Sequence, residues 1–141
     1  MIYIFLASVL YTVGIMFGAA ASRSANTNLV AAIMNAVSAL LPITLVIPIL
    51  NAKTFTNSKM GIIYAIIAGT LIALFTMALG KSFAENKVAI VSPMVFGGAI
   101  FMSTILGYVI FKEQVSRFQA IGLFFLAIGL GLVIYARWTG K

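Results

Sequence analysis

The chain of 141 residues contains no cysteine, no histidine and no aspartate. Without cysteine there are no disulfides, no thiolate nucleophile and no sulfur-ligated metal. Without histidine the chain lacks the side chain that most often moves protons near neutral pH and most often binds transition metals. The only carboxylic side chains are Glu85 and Glu113. They stand at opposite ends of one apolar run of about 24 residues, which as a helix is about 36 Å long. They therefore cannot form an acid–base pair within one chain, and enzyme chemistry has almost no material to work with. No catalytic residue, cofactor or metal is expected.

Charge is scarce as well: 8% of residues are charged and 63% are hydrophobic, against roughly 25% and 45–50% in an ordinary soluble domain. A soluble domain of this length buries only about 68–70% of its unfolded surface, so the apolar excess must face something other than water. A net charge of +7 raises the question of nucleic acid. However, the basic residues occur singly or in pairs between apolar runs, with no contiguous patch. At those places they read as interfacial anchors of membrane helices, and no nucleic-acid partner is expected.

Five apolar runs are marked, approximately residues 2–21, 29–50, 60–80, 88–111 and 118–136. Each approaches the roughly 20 residues that cross a 30 Å hydrocarbon layer. The connectors are short, so the expected architecture is an all-α integral membrane protein in which residues 1–141 form a single five-helix unit. Asn26, Thr27 and Asn28 precede the second run, Asn57 and Ser58 the third and Asn86 the fourth, all residue types that cap helix N-termini. Ser116-Arg117-Phe118-Gln119 reads as a capping box before the fifth. The small residues Ala19-Ala20-Ala21 resemble a signal-peptide cleavage site. No Lys or Arg precedes the first run, though, and its length exceeds a signal core, so an uncleaved helix is expected.

Alternate connectors lie on opposite sides of a membrane. One side collects Lys53, Lys59, Lys112 and Arg117, and the other Arg23, Lys81, Lys87, Arg137 and Lys141, four against five. The α-amino group brings the first side level, and because Lys/Arg asymmetry fixes orientation, a level count predicts insertion both ways up and permits an antiparallel homodimer. Small residues recur at helix-packing spacings: Gly14 and Gly18, Ser103 and Gly107, Gly122 and Gly129. They allow close backbone approach, whether within the protomer or between protomers.

The stretch Leu74 to Pro93, Leu-Phe-Thr-Met-Ala-Leu-Gly-Lys-Ser-Phe-Ala-Glu-Asn-Lys-Val-Ala-Ile-Val-Ser-Pro, is followed by a small-residue run. Next comes Phe-Lys-Glu-Gln-Val-Ser-Arg-Phe-Gln-Ala-Ile-Gly from Phe111 to Gly122. This part resembles the C-terminal portion of an EamA-type unit of the drug/metabolite transporter superfamily: a helix entering at Ser-Pro, a glutamate (Glu113) ending it and Ile-Gly opening the next. The first two runs match only in length and order. Many members carry two such units as inverted repeats, so the resemblance implies that this chain is half of a ten-helix transporter. The other half would be a second copy or a related unit. The chain is also similar to the small multidrug resistance proteins of the same superfamily. It departs from them in its first run, which has no carboxylic side chain where those proteins place a proton-coupling glutamate.

Polar residues inside the apolar runs are the candidates for a substrate site. Asn35 shares a helical face with Ala31, Ser38 and Pro42, and Pro42 and Pro48 leave the carbonyls of Ser38 and Thr44 without their usual donors. Tyr11 shares a face with Ala7, Gly14 and Gly18, and Phe96 and Ser103 share one with Pro93, Ile100 and Gly107. The substrate-binding set is therefore Tyr11, Asn35, Ser38, Phe96 and Ser103. For each there is a structural alternative: an interhelical hydrogen bond for Asn35, ordinary packing for Tyr11, and back-bonding to the preceding turn for Ser103. Glu113 is expected to pair with Lys112 or Arg117, or to stabilise the start of the fifth helix. The expected function is alternating-access transport of a small amphipathic metabolite or drug-like compound by a dimer in a prokaryotic inner or plasma membrane. A dual-topology channel and a subunit of a lipid-linked intermediate flippase are the alternatives.

Overall fold

The computed structural model describes residues 2–50 and 59–140. Among these residues the fold is all-α: α1 (Ile2–Ser24), α2 (Thr27–Val46) ending in a 3₁₀ turn (Ile47–Ile49), α3 (Lys59–Glu85), α4 (Val88–Phe111) and α5 (Arg117–Thr139). All five helices are long and apolar enough to cross a membrane, and in each only 0–11% of the most apolar stretch is buried within the protein. Water cannot solvate the remainder. The chain is a multi-pass membrane protein whose outer surface is built for lipid.

The helix ends follow local chemistry. Asn26 caps α2, its Oδ1 accepting from the N–H groups of Asn28 and Leu29 at 3.0 and 3.2 Å. At α5 the capping box forms in full: Gln119 N–H donates to Ser116 Oγ (3.2 Å) and Ser116 N–H donates to Gln119 Oε1 (2.8 Å). The cap position of α4 is taken by Lys87 rather than Asn86, and the Lys87 side chain makes no cap bond. The expected caps Asn57 and Ser58, and the basic residues Lys53 and Lys141, lie outside the described residues. Pro42 sits inside α2 without ending it, whereas Pro48 falls where the α-helix gives way to the 3₁₀ turn.

By its internal contacts the chain divides into two compact units, residues 1–85 and 86–141. In the first, α1, α2 and α3 all pack on one another. Small residues set the approach. A Cβ on Gly18 would lie 3.0 Å from the Met34 thioether methyl, and one on Gly80 would lie 3.2 Å from Ser22 Oγ. The buried residues Ala19, Ser22, Val30, Ala31, Leu79 and Phe83 gather where the three helices converge. Polar ties link α3 to its neighbours. Arg23 Nε donates to the Phe83 carbonyl at 3.1 Å, and Asn35 Nδ2 donates to Thr76 Oγ1 at 2.8 Å.

The second unit is the α4–α5 hairpin. Gly97 makes room for Leu130, whose Cδ2 lies 2.6 Å from where a Cβ would stand. In contrast, Cβ atoms built on Gly122, Gly129 and Gly131 of α5 meet nothing within 4 Å. No residue of α5 is buried.

Candidate functional site: an apolar groove and an acceptor-lined recess

In the first unit the three helices leave between them a groove of about 440 Å³. Its walls alternate bulk and gaps at helical spacing: Tyr11, Gly14 and Gly18 from α1, Ala31 and Met34 from α2, and Phe75, Thr76, Leu79, Gly80 and Phe83 from α3. The glycines provide the space and the aromatic rings supply flat apolar contact. Polar character comes from three hydroxyls, those of Tyr11, Ser22 and Thr76, and no lysine, arginine or carboxylate lines the groove. A solute held here would be neutral over most of its surface, with one or two hydrogen-bonding groups.

Asn35 stands behind this lining. Its Nδ2 spends both hydrogens, one on the Ala31 carbonyl and one on Thr76 Oγ1, each at 2.8 Å, and Thr76 donates in turn to the Ala73 carbonyl at 2.9 Å. The interhelical bond weighed for Asn35 is thus present, and Asn35 reaches the groove only through the hydroxyl that it holds. Ser38 lies elsewhere, lining a shallower depression of about 410 Å³ that shares Gly14, Gly18 and Met34 with the groove. Its hydroxyl donates to the Asn35 carbonyl at 2.9 Å.

Phe96 and Ser103 belong to the second unit. Ser103 donates to the Ile100 carbonyl at 3.0 Å, so the back-bonding anticipated for it forms, three residues back. Ser103 also lines a small recess of about 270 Å³ with Thr104, Glu113, Gln114, Val115 and Gln119. The expected pairing of Glu113 is corrected here. Among the described residues its carboxylate forms no ion pair with Lys112 or Arg117. The reason is the backbone at Lys112, which is left-handed (φ 58°, ψ 28°), so that the N–H groups of Lys112 and Glu113 both turn back to the Gly107 carbonyl. The carboxylate follows, and Glu113 Oε2 comes to 2.8 Å from the place of the missing Gly107 Cβ.

Comparison with family models, with curated proteins and with solved structures gives no match. The reading of this molecule rests on its own residues.

Sequence reasoning named no site residue on α3, although six of the residues lining the groove come from it. Ile72, Phe75, Thr76, Leu79, Gly80 and Phe83 recur at spacings of three and four, the stripe of one helix face. In a run where nearly every position is apolar, that stripe has no polar background to stand against. Ser92 of α4 is a second unanticipated feature: its Oγ is buried without a hydrogen-bond partner.

Proposed function

We propose that this chain is one half of a membrane carrier for small, largely apolar solutes, working as an antiparallel dimer of two copies or of one copy and a related unit. The observation that carries the proposal is the groove of the first unit. It is open, lined by rings and small residues, furnished with the Tyr11 and Thr76 hydroxyls, and set within helices that cross the membrane. Solute sites of carriers with inverted repeats lie at mid-membrane depth between such helices, and the resemblance of residues 74–122 to an EamA-type unit points the same way. A lining without carboxylate or amine fits facilitated diffusion or exchange rather than proton coupling. The open glycine face of α5 at Gly122 and Gly129 and the level basic count support pairing with a second unit in the opposite orientation.

The test is flux into liposomes reconstituted with the purified chain, using a panel of neutral and zwitterionic aromatic and aliphatic metabolites. A member of the panel should enter saturably and compete with its congeners. Gly14→Phe is the decisive variant. A Cβ at Gly14 meets nothing within 4 Å and Gly14 lines the groove, so a larger side chain there starts in open space and fills the groove. The variant should insert and fold as the wild type while flux falls to background. Flux unchanged by Gly14→Phe would refute the groove as the path, and unitary currents in planar bilayers would replace the carrier by a channel.

A further inference from the structure

The recess at the end of α4 has a chemical character that the carrier reading does not use. Ser103 and Thr104 both donate their hydroxyl hydrogens inward to the Ile100 carbonyl, at 3.0 and 2.8 Å. What the two hydroxyls have left are lone pairs. Glu113 adds an ionised carboxylate, acceptor-only, that makes no hydrogen bond or ion pair among the described residues. Gln119 Oε1 is already held by the Ser116 N–H, and Gln114, which also lines the recess, has an amide with both an acceptor and donors. Folded back to the level of Gly107, the carboxylate lies beside the last turn of α4, the end of a helix where a cation is favoured.

We infer that this recess binds a primary ammonium group, with Glu113 as its counter-ion and the Ser103 and Thr104 hydroxyls as further acceptors. An R–NH₃⁺ head carries three N–H donors, which matches one carboxylate and two hydroxyls. A bare metal ion of the hard type takes about six to eight oxygens at about 2.3–2.6 Å, more than these three groups supply. The recess of about 270 Å³ holds about nine waters at about 30 Å³ each, which leaves space for a small organic head. Gly107 is part of the device, since a side chain there would push the carboxylate out of place. Lys112, Glu113 and Arg117 are all exposed, so solvent screens the carboxylate and the arrangement of the three acceptors, not burial, has to hold the ammonium. The ammonium can arrive as a free amine or as the headgroup of an aminophospholipid, because the recess lies where α4 approaches the membrane surface.

The experiment follows thermal unfolding of the purified full chain in phosphatidylcholine nanodiscs during titration at constant ionic strength. The probes are methylammonium, tetramethylammonium, which has no N–H, and sodium. Methylammonium should raise the unfolding temperature saturably and the other two should not. Glu113→Gln should shift the half-effect concentration at least tenfold, the scale of losing a charge-assisted hydrogen bond. Gly107→Ala, which keeps the carboxylate but displaces it, should weaken the response in the same direction. Repeating the titration in phosphatidylethanolamine nanodiscs separates the sources: a response lost there marks the lipid headgroup as occupant, and a response kept marks a free amine. An equal response to tetramethylammonium or sodium, or a methylammonium response that survives Glu113→Gln, would overturn the assignment. Transport plays no part in this readout, so the inference stands or falls apart from the carrier proposal.

Discussion

The Asn35–Thr76 bond offers the sharpest check on how α2 and α3 meet. Replacing Thr76 by Val keeps the side-chain volume, removes the hydroxyl that accepts from Asn35 Nδ2 at 2.8 Å, and leaves the Nδ2 bond to the Ala31 carbonyl in place. Replacing Asn35 by Leu removes the donor while Thr76 keeps its bond to the Ala73 carbonyl. Asn35→Leu strands no polar group and should cost only the interhelical bond, whereas Thr76→Val leaves one Nδ2 hydrogen of half-buried Asn35 without its acceptor and should cost somewhat more. Such bonds average about 0.6 kcal/mol in membrane bundles, with a ceiling near 1.7, and 0.6 kcal/mol is roughly threefold in the unfolding equilibrium. The double variant should cost no more than either single change, giving a coupling energy of about 0.6 kcal/mol. Thr70→Val is the control, since that hydroxyl bonds only the Ile66 carbonyl of its own helix and should show no coupling with Asn35→Leu. Reversible unfolding in mixed micelles reads all five variants, the Thr70→Val/Asn35→Leu double included. Strictly additive single effects would refute the bond and with it this packing of α2 on α3.

Ser116→Ala breaks the capping box and should destabilise the start of α5 by about 1 kcal/mol, seen as faster amide hydrogen exchange over the first turn. Gly97→Leu must displace Leu130 and should destabilise the hairpin by about 1–3 kcal/mol, whereas Gly98→Leu, with open space around its Cβ, should not; chemical denaturation of the two variants compares them. Lys112→Gly relieves the left-handed backbone of a non-glycine residue (φ 58°) and should stabilise by about 1 kcal/mol in the same measurement. Gly129→Leu should leave the protomer folded but lower the yield of crosslinked dimer if α5 forms the interface; an unchanged yield excludes that face.

The five spans were legible because hydropathy alone marks them. The helix ends were less so. Helices α1 and α3 run past their apolar stretches through Ser22-Arg23-Ser24 and through Lys81 to Glu85. Hydropathy stops at the first charge, while the helix continues because Ser22 and Phe83 bury where α1, α2 and α3 converge. The Ser116 box was legible because its two partners lie three residues apart. Tyr11 was picked as a polar group in an apolar run and does line the groove. Thr76 was passed over because its importance depends on which residue of α2 stands opposite, and that is not local information. Glu113 was misread for a related reason: adjacency to Lys112 and Arg117 suggested pairing, but a left-handed lysine reversed the chain, and nothing in a lysine announces that conformation as a glycine or asparagine would.

Lipid changes what selects this fold. In water the burial of apolar side chains would decide which helix faces meet, but lipid is as apolar as leucine, so that drive is absent between helices. What remains is close packing at small residues and the few polar atoms that must find partners. Most hydroxyls settle locally, as Ser8, Thr12 and Thr70 do on carbonyls four residues back, and so carry no information about neighbours. The exceptions carry most of it. Arg23 on the Phe83 carbonyl and Asn35 on Thr76 each fix one neighbour of α3, and Gly18 and Gly80 set how near the backbones come. The groove opens among these same elements. Its position is therefore determined by a handful of side chains, and the remaining apolar surface is free to vary so long as it stays compatible with lipid.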